Sequence, residues 1–431
     1  MRTRADFLIE HASAVATCAG SAPRCGRDQT DIGLLRNTVI ASRDGAIVYV
    51  GSDADAVELT SNAVRIDGSG CVVVPGFVDP HTHIVYAGDR RHELQRRLAG
   101  ATYAEIAAEG GGILSTVAAT RAASVEELLA SGRGRLDEML ACGTTTCEAK
   151  SGYGLTTESE LKQLRVIRAL DRSHPVDIVP TFLGAHDVPP EYRDLTAGGL
   201  AKAARRADYI RLVTDEMIPR VTEEGLARYC DVFCDVGAFT PEEAETILTA
   251  GRRLGLTPRV HADELAPSGG SLVAARLGAR SADHLVFVNE AGVDALARSN
   301  VCAVLLPTAA FYLKLGRFAP ARRLIDRGVP VALATDINPG GGFSPSMPFA
   351  MTLACFEMGM TLEEALVAAT VNAAWSLDAA DSVGSLQAGR LMDAVLVKDD
   401  LAELVRVGAA AIRMVIKRGK VVVNGRHPTL L

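Results

Sequence analysis

The sequence reads as an α/β protein, a TIM-like (β/α)8 barrel accompanied by a small β-sandwich domain built from both chain ends, and three observations predict it. Between residues 76 and 380, short apolar runs alternate with longer Ala/Leu/Glu-rich amphipathic segments, the pattern of βα units around a parallel sheet. Eight strand candidates follow one another over that span, which suits a closed barrel better than an open sheet. Both ends of the chain switch to short apolar runs punctuated by turn residues, a β-rich style unlike the middle.

Taken in order, residues 1–75 contain a hairpin: a strand over 38–42, the turn Arg43-Asp44-Gly45, a second strand over 46–50, and Gly51. The barrel strands are predicted over 76–79, 144–148, 177–183, 231–235, 258–261, 281–286, 302–306 and 329–335. A doubly wound sheet would need a glycine-rich nucleotide turn after its first strand, and Asp79-Pro80-His81-Thr82-His83 stands there instead. Residues 381–431 resume the end style, with strands over 393–398 and 414–423, the second broken at Arg418-Gly419-Lys420 and ended by Asn424-Gly425. Neither end alone has enough strands to bury a sheet face, so the two are expected to pair into one sandwich flanking a catalytic barrel over 76–380.

Composition narrows the function. The 431 residues are 48% hydrophobic and 23% charged, enough for a large core and inconsistent with disorder. Lys and Arg total 45 against 52 Asp and Glu, so no basic excess exists to neutralise phosphates and nucleic acid is not expected as a partner. The uncharged stretch 337–356 carries Pro339, Pro345, Pro348 and a glycine run that would break a spanning helix, so no membrane partner is expected either. Asp6, Glu10 and His11 interrupt any signal-peptide core behind Arg2 and Arg4, which reads as a cytoplasmic protein. The nine cysteines include no C-x-x-C pair; Cys230 and Cys234 read as small hydrophobes of a buried strand.

The chemistry sits at strand ends. His81 and His83 follow the first predicted strand, His186 the third, His261 ends the fifth, His284 lies in the sixth and Asp336 ends the eighth. A barrel builds its active site at the carboxyl ends of its strands, so these residues converge on one mouth. The period-two spacing of His81-Thr82-His83 puts both imidazoles on one side of an extended segment. With a nitrogen from His261 and an oxygen from Asp336, they make a donor set that zinc accepts, while Fe(II) or manganese also suit imidazole and carboxylate. The sequence has no G-x-S-x-G, Walker loop or H-E-x-x-H. The runs Gly110-Gly111-Gly112 and Gly340-Gly341-Gly342 read as turns, the second placed just after a proposed ligand.

The block Val74-Pro75-Gly76-Phe77-Val78-Asp79-Pro80-His81-Thr82-His83 resembles the start of the barrel in the metal-dependent amidohydrolase superfamily. Ala99-Gly100-Ala101-Thr102-Tyr103, Lys150-Ser151-Gly152-Tyr153-Gly154-Leu155, His261-Ala262-Asp263-Glu264 and Ser281-Ala282-Asp283-His284 narrow the resemblance to the imidazolonepropionase family, over nearly the whole chain. The resemblance implies metal-dependent hydrolysis of 4-imidazolone-5-propanoate, a small-molecule substrate of histidine degradation, to N-formimidoyl-L-glutamate. It implies one divalent metal, zinc or else iron as Fe2+ or Fe3+, held by His81, His83, His261 and Asp336. It further implies substrate contacts from Arg90, Tyr103, Tyr153, His186, Glu264, Asn338 and Gly340, catalytic roles for Glu264, His284 and Asp336, and a homodimer. Arg90 suits the propionate tail, because a guanidinium presents a planar fork to a carboxylate. Two positions depart from the family pattern: Gly341 replaces a hydroxyl residue and Asp235 a glutamate. The competing readings are a deaminase or cyclic-amide hydrolase acting on a related heterocycle, and a barrel without catalysis that serves as a binding scaffold. Lys150 follows the second strand, not the fourth, so it is not expected to bridge two metals.

Overall fold

The computed structural model describes residues 2–101, 105–106, 111–193, 199–408 and 410–425. Its central sheet has eight parallel strands in sequence order: Phe77–Asp79, Thr144–Lys150, Asp177–Ala185, Tyr229–Cys234, Thr257–Ala262, Ser281–His284, Cys302–Leu305 and Val331–Leu333. Each overlaps a strand expected from the apolar runs. Two of the longer helices between them start at capping boxes that satisfy exposed N–H groups: Ser124 and Glu127 before Val125–Ala141, and Thr240 and Glu243 before Pro241–Arg253.

The first and eighth strands meet just past their ends. The Asp336 N–H donates to the His81 carbonyl at 3.1 Å, and the His83 N–H donates to the Ile337 carbonyl at 2.9 Å. Below them the buried Asp79 carboxylate accepts from the Thr335 N–H at 3.1 Å. The seam of the barrel is therefore made by the segments that carry His81, His83 and Asp336.

Both ends of the chain form two further sheets. The four-stranded one, ordered Ala46–Gly51, Val39–Arg43, Thr3–Glu10 and Val57–Asp67, comes from the N-terminal side alone. The six-stranded one joins Lys420–Asn424, Ile412–Lys417 and Ala394–Lys398 to Cys71–Pro75, Ala14–Ala16 and Leu34–Leu35. Phe7, Ile9, Ile40 and Ile47 pack with Val73, Leu396 and Ile416 in one buried cluster between the sheets. In the hairpin turn Asp44 and Gly45 take φ of 52° and 81°, the paired left-handed conformation that matches strand twist. Lys417 ties sandwich to barrel, its Nζ 2.7 Å from both Asp177 and Asp393.

Candidate active site

Five of the six strand-end residues expected to converge lie around one cavity of about 960 Å3: His83, His186, His261, His284 and Asp336 line it with Arg90, Tyr153, Glu264, Asn338 and Gly340. His81 sits directly beneath, fully buried, its ring centroid 4.4 Å from that of His261 and 5.3 Å from that of His83. The Nε2 atoms of His81 and His83 each stand 3.6 Å from Asp336 Oδ1. Ligand-capable atoms of His81, His83 and Asp336 lie within 4.8 Å of one another, and so do those of His81, His261 and His284.

The far side of two rings is held by carboxylates. His81 Nδ1 lies 2.6 Å from Asp283 Oδ2, and His261 Nδ1 lies 3.0 Å from Asp231 Oδ2. The His81 hydrogen bond puts the proton on Nδ1 and the lone pair on Nε2, and the Asp231 carboxylate close to His261 Nδ1 favours the same tautomer there. His81 Nε2, His261 Nε2 and Asp336 Oδ1 are then buried with no hydrogen-bond partner among the described residues. Leaving three such atoms unsatisfied is costly unless something binds them, and three imidazole nitrogens with one carboxylate oxygen form a donor set for a divalent cation. His284 is engaged differently, with Nδ1 3.5 Å from Glu264 Oε1, and His186 Nδ1 lies 3.0 Å from the Gly152 carbonyl. Asp336 and His284, both lining the cavity, adopt φ of 52° and 74°, backbone strain at two residues whose side chains face the mouth.

Arg90 is nearly buried, with Nε and Nη2 donating to Glu93 Oε2 at 2.9 and 2.8 Å, and Glu93 Oε1 accepting the Gly112 N–H at 2.7 Å. Gly340 packs so closely that a Cβ there would collide with Arg90 Nη1. Tyr153 stands beside His83 and His186 at 5.6 and 5.3 Å between ring centroids, and His186 stacks on His83 at 5.1 Å. Asn338 organises its own turn: its Oδ1 accepts from Gly340 and Gly341 N–H at 2.8 and 2.6 Å, and its Nδ2 donates to the Asp336 carbonyl at 2.7 Å. Tyr103 lies outside the described residues. The unusual Asp235 accepts the N–H groups of Glu264 and Leu265 at 2.6 and 2.8 Å, so it anchors the backbone of Glu264.

Burial sets the protonation states. It pushes the Glu264 carboxyl well above the usual range, reinforced by Asp336 and Asp235. It raises Asp336 to about 7 and lowers His186 to about 3, with His81, His83 and His284 also held well below the ordinary imidazole value. Burial thus favours the neutral form of both groups that face each other here, the Glu264 carboxyl and the His284 imidazole.

Sequence reasoning missed the layer under the histidines, formed by Glu148, Lys150, Asp231, Arg259 and Asp283, all fully buried. A signal was present: Asp231 interrupts the apolar run Tyr229–Cys234, and a charge in a buried strand needs a partner.

An Amidohydrolase family model matches residues 235–422. The chain is 48% identical to imidazolonepropionase of Geobacillus kaustophilus (strain HTA426) over 97% of this chain and 98% of that protein. It is 47% identical to imidazolonepropionase of Brevibacillus brevis (strain 47) over 96% of this chain and 97% of that protein. Among solved structures, an adenosine deaminase from Xanthomonas campestris with bound zinc superposes with a TM-score of 0.71 at 20% identity, covering 100% of this chain and 96% of that one. A triazine hydrolase from Arthobacter aurescens gives 0.72 at 18% identity, covering 99% and 96%. These two likenesses are of fold; the near-full-length identity to the curated relatives is of family. The chain belongs to the imidazolonepropionase family of the amidohydrolases.

Proposed function

We propose that the chain hydrolyses the ring amide of 4-imidazolone-5-propanoate to N-formimidoyl-L-glutamate, a step of histidine degradation. One observation carries the reading: a single cavity holds a buried guanidinium suited to a carboxylate tail beside an imidazole and carboxylate donor set suited to a polarised carbonyl. The name borne by the curated relatives supports it. His81, His83, His261 and Asp336 would hold one divalent cation, zinc by its preference for three nitrogens and an oxygen, with iron as the alternative. When bound, such a cation acidifies water and polarises a carbonyl oxygen.

The chain's own residues do the rest. Arg90 pairs with the propionate, and Tyr153 and His186 wall the ring. The polar atoms of Asn338 remain in its turn, so Asn338 and Gly340 shape the floor beneath Arg90. Asp336 accepts the proton lost by the attacking water at its carboxylate oxygen. His284, kept neutral by burial, donates to the carbonyl oxygen as negative charge grows there. Glu264, kept protonated by burial, passes its proton to the ring nitrogen as the C–N bond breaks. An uncharged base offers Arg90 no carboxylate, which disfavours the deaminase alternative.

The test is formation of N-formimidoyl-L-glutamate by protein of measured metal content. Turnover with one zinc or iron per chain is expected; metal-replete protein that leaves imidazolonepropionate intact overturns the assignment, and two metals per chain overturns the single-site part. A cytoplasmic homodimer goes with this reading and is checked by light scattering and cell fractionation.

A further inference from the structure

The buried cluster beneath the histidines has a cation at its centre that the proposed chemistry does not use. Lys150 ends the second barrel strand, is fully buried and does not line the cavity. Its Nζ lies 2.7 Å from Glu148 Oε1, 2.8 Å from Asp231 Oδ2 and 3.8 Å from Asp283 Oδ2. Each of these carboxylates continues to a different part of the histidine set. Glu148 Oε2 accepts the N–H of Thr82, between His81 and His83, at 3.1 Å. Asp231 Oδ2 lies 3.0 Å from His261 Nδ1, and Asp283 Oδ2 lies 2.6 Å from His81 Nδ1. Arg259 adds a second cation, its Nη2 3.4 Å from Asp283 Oδ2 and donating to the Pro80 carbonyl at 2.8 Å.

We propose that Lys150 is a positioning residue of the metal centre, its ammonium clamping together the three carboxylates that set the orientation of the His81-Thr82-His83 segment and of the His81 and His261 rings. Three fully buried carboxylates gathered this closely repel one another, and a buried ion cluster is destabilised most by losing a single partner. Without the ammonium they splay apart, and the rings they hold turn with them. The atoms misdirected are His81 Nε2 and His261 Nε2, both buried without a hydrogen-bond partner among the described residues. Lys150 therefore acts on metal affinity at one remove, as outer carboxylates do in other metal sites.

The inference rests on the ligand assignment above, and the experiment separates the two. Metal-free protein is titrated with Zn2+ against a chromophoric chelator and with Co2+ followed by visible absorption, in wild type, Lys150→Met, Glu148→Gln and His261→Ala, each checked by circular dichroism. Folded Lys150→Met should bind Zn2+ roughly 10–100-fold more weakly, the usual cost of an outer-layer change, with an altered Co2+ spectrum. Wild-type affinity and spectrum in folded Lys150→Met overturn the inference, whatever happens to its melting temperature. If Lys150→Met does not fold, Glu148→Gln decides: it keeps an acceptor for the Thr82 N–H but removes the nearest counter-ion, and should weaken binding by roughly tenfold, the lower end of the same range. Unchanged affinity there also overturns the inference. Wild-type affinity in His261→Ala would instead sink the ligand assignment itself.

Discussion

Replacing Arg90 by alanine removes one end of the proposed substrate clamp and also takes from the buried Glu93 its bidentate partner, so the variant's melting temperature is read beside its kinetics. The guanidinium is 5% exposed and already oriented, with two of its nitrogens on Glu93 Oε2 at 2.9 and 2.8 Å. Glu93 is itself fixed by the Gly112 N–H at 2.7 Å, so the guanidinium is already oriented and little ordering entropy is lost when a carboxylate arrives. Hydrogen bonds to a charged partner contribute about 1.5–3 kcal/mol, and the upper end applies in a buried site. At about 1.4 kcal/mol per factor of ten, Arg90→Ala should lower kcat/KM by about 10²-fold. Most of the loss should appear in KM, because the propionate is bound equally before and during the reaction. Arg90→Lys keeps the charge but loses the fork and should fall about tenfold, midway in free energy. The assay is steady-state loss of imidazolone absorbance on protein with measured metal content and melting temperature. An Arg90→Ala enzyme with kcat/KM within threefold of wild type, or one that loses its metal while folded, refutes the reasoning.

Three other outcomes follow from the geometry. His284→Ala should cost about 10²-fold or more in kcat with metal retained, as expected for one donor to a growing oxyanion, and Glu264→Gln should depress kcat with substrate still bound; metal-free variants would redraw the ligand set. Gly340→Ala pushes a Cβ into Arg90 Nη1 and should raise KM in the same direction as Arg90→Ala, so an unchanged KM would show that the guanidinium is not the clamp. Burial, only partly offset by Asp137 at 3.0 Å, lowers the His174 pKa, whereas the unfolded chain protonates that ring near about 6.5. Its stabilising effect is therefore present above that pH and lost as pH falls, so the melting-temperature advantage of wild type over His174→Gln should shrink from pH 8 to pH 5, and a constant or growing advantage contradicts the shift.

The strands and the donor residues were legible because they depend on local order. A parallel barrel strand is buried on both faces, so Asp177–Ala185 or Val331–Leu333 shows as an apolar run bounded by turn residues. The topology rule that sites lie at strand ends then made His81, His83, His186, His261, His284 and Asp336 stand out one by one. Gly340 was visible as part of a glycine run, but not the reason for it, which is the Arg90 guanidinium lying against its Cα.

By itself, then, the sequence determined which elements form and which side chains end up at the mouth, since both follow from hydrophobic period and position within a strand. Only the tertiary structure decided what those side chains can do. The pairing of His81 with Asp283 spans 202 residues and that of His261 with Asp231 spans strands from separate βα units. Asn338 serves its own turn while Asp235 carries the backbone of Glu264. Such contacts leave no periodic trace, because they depend on the register of neighbouring strands and on the low-dielectric space they enclose. That same enclosure pushes the Glu264 carboxyl up and the His284 imidazole down, favouring the neutral form of both in a way that residue identity alone does not specify.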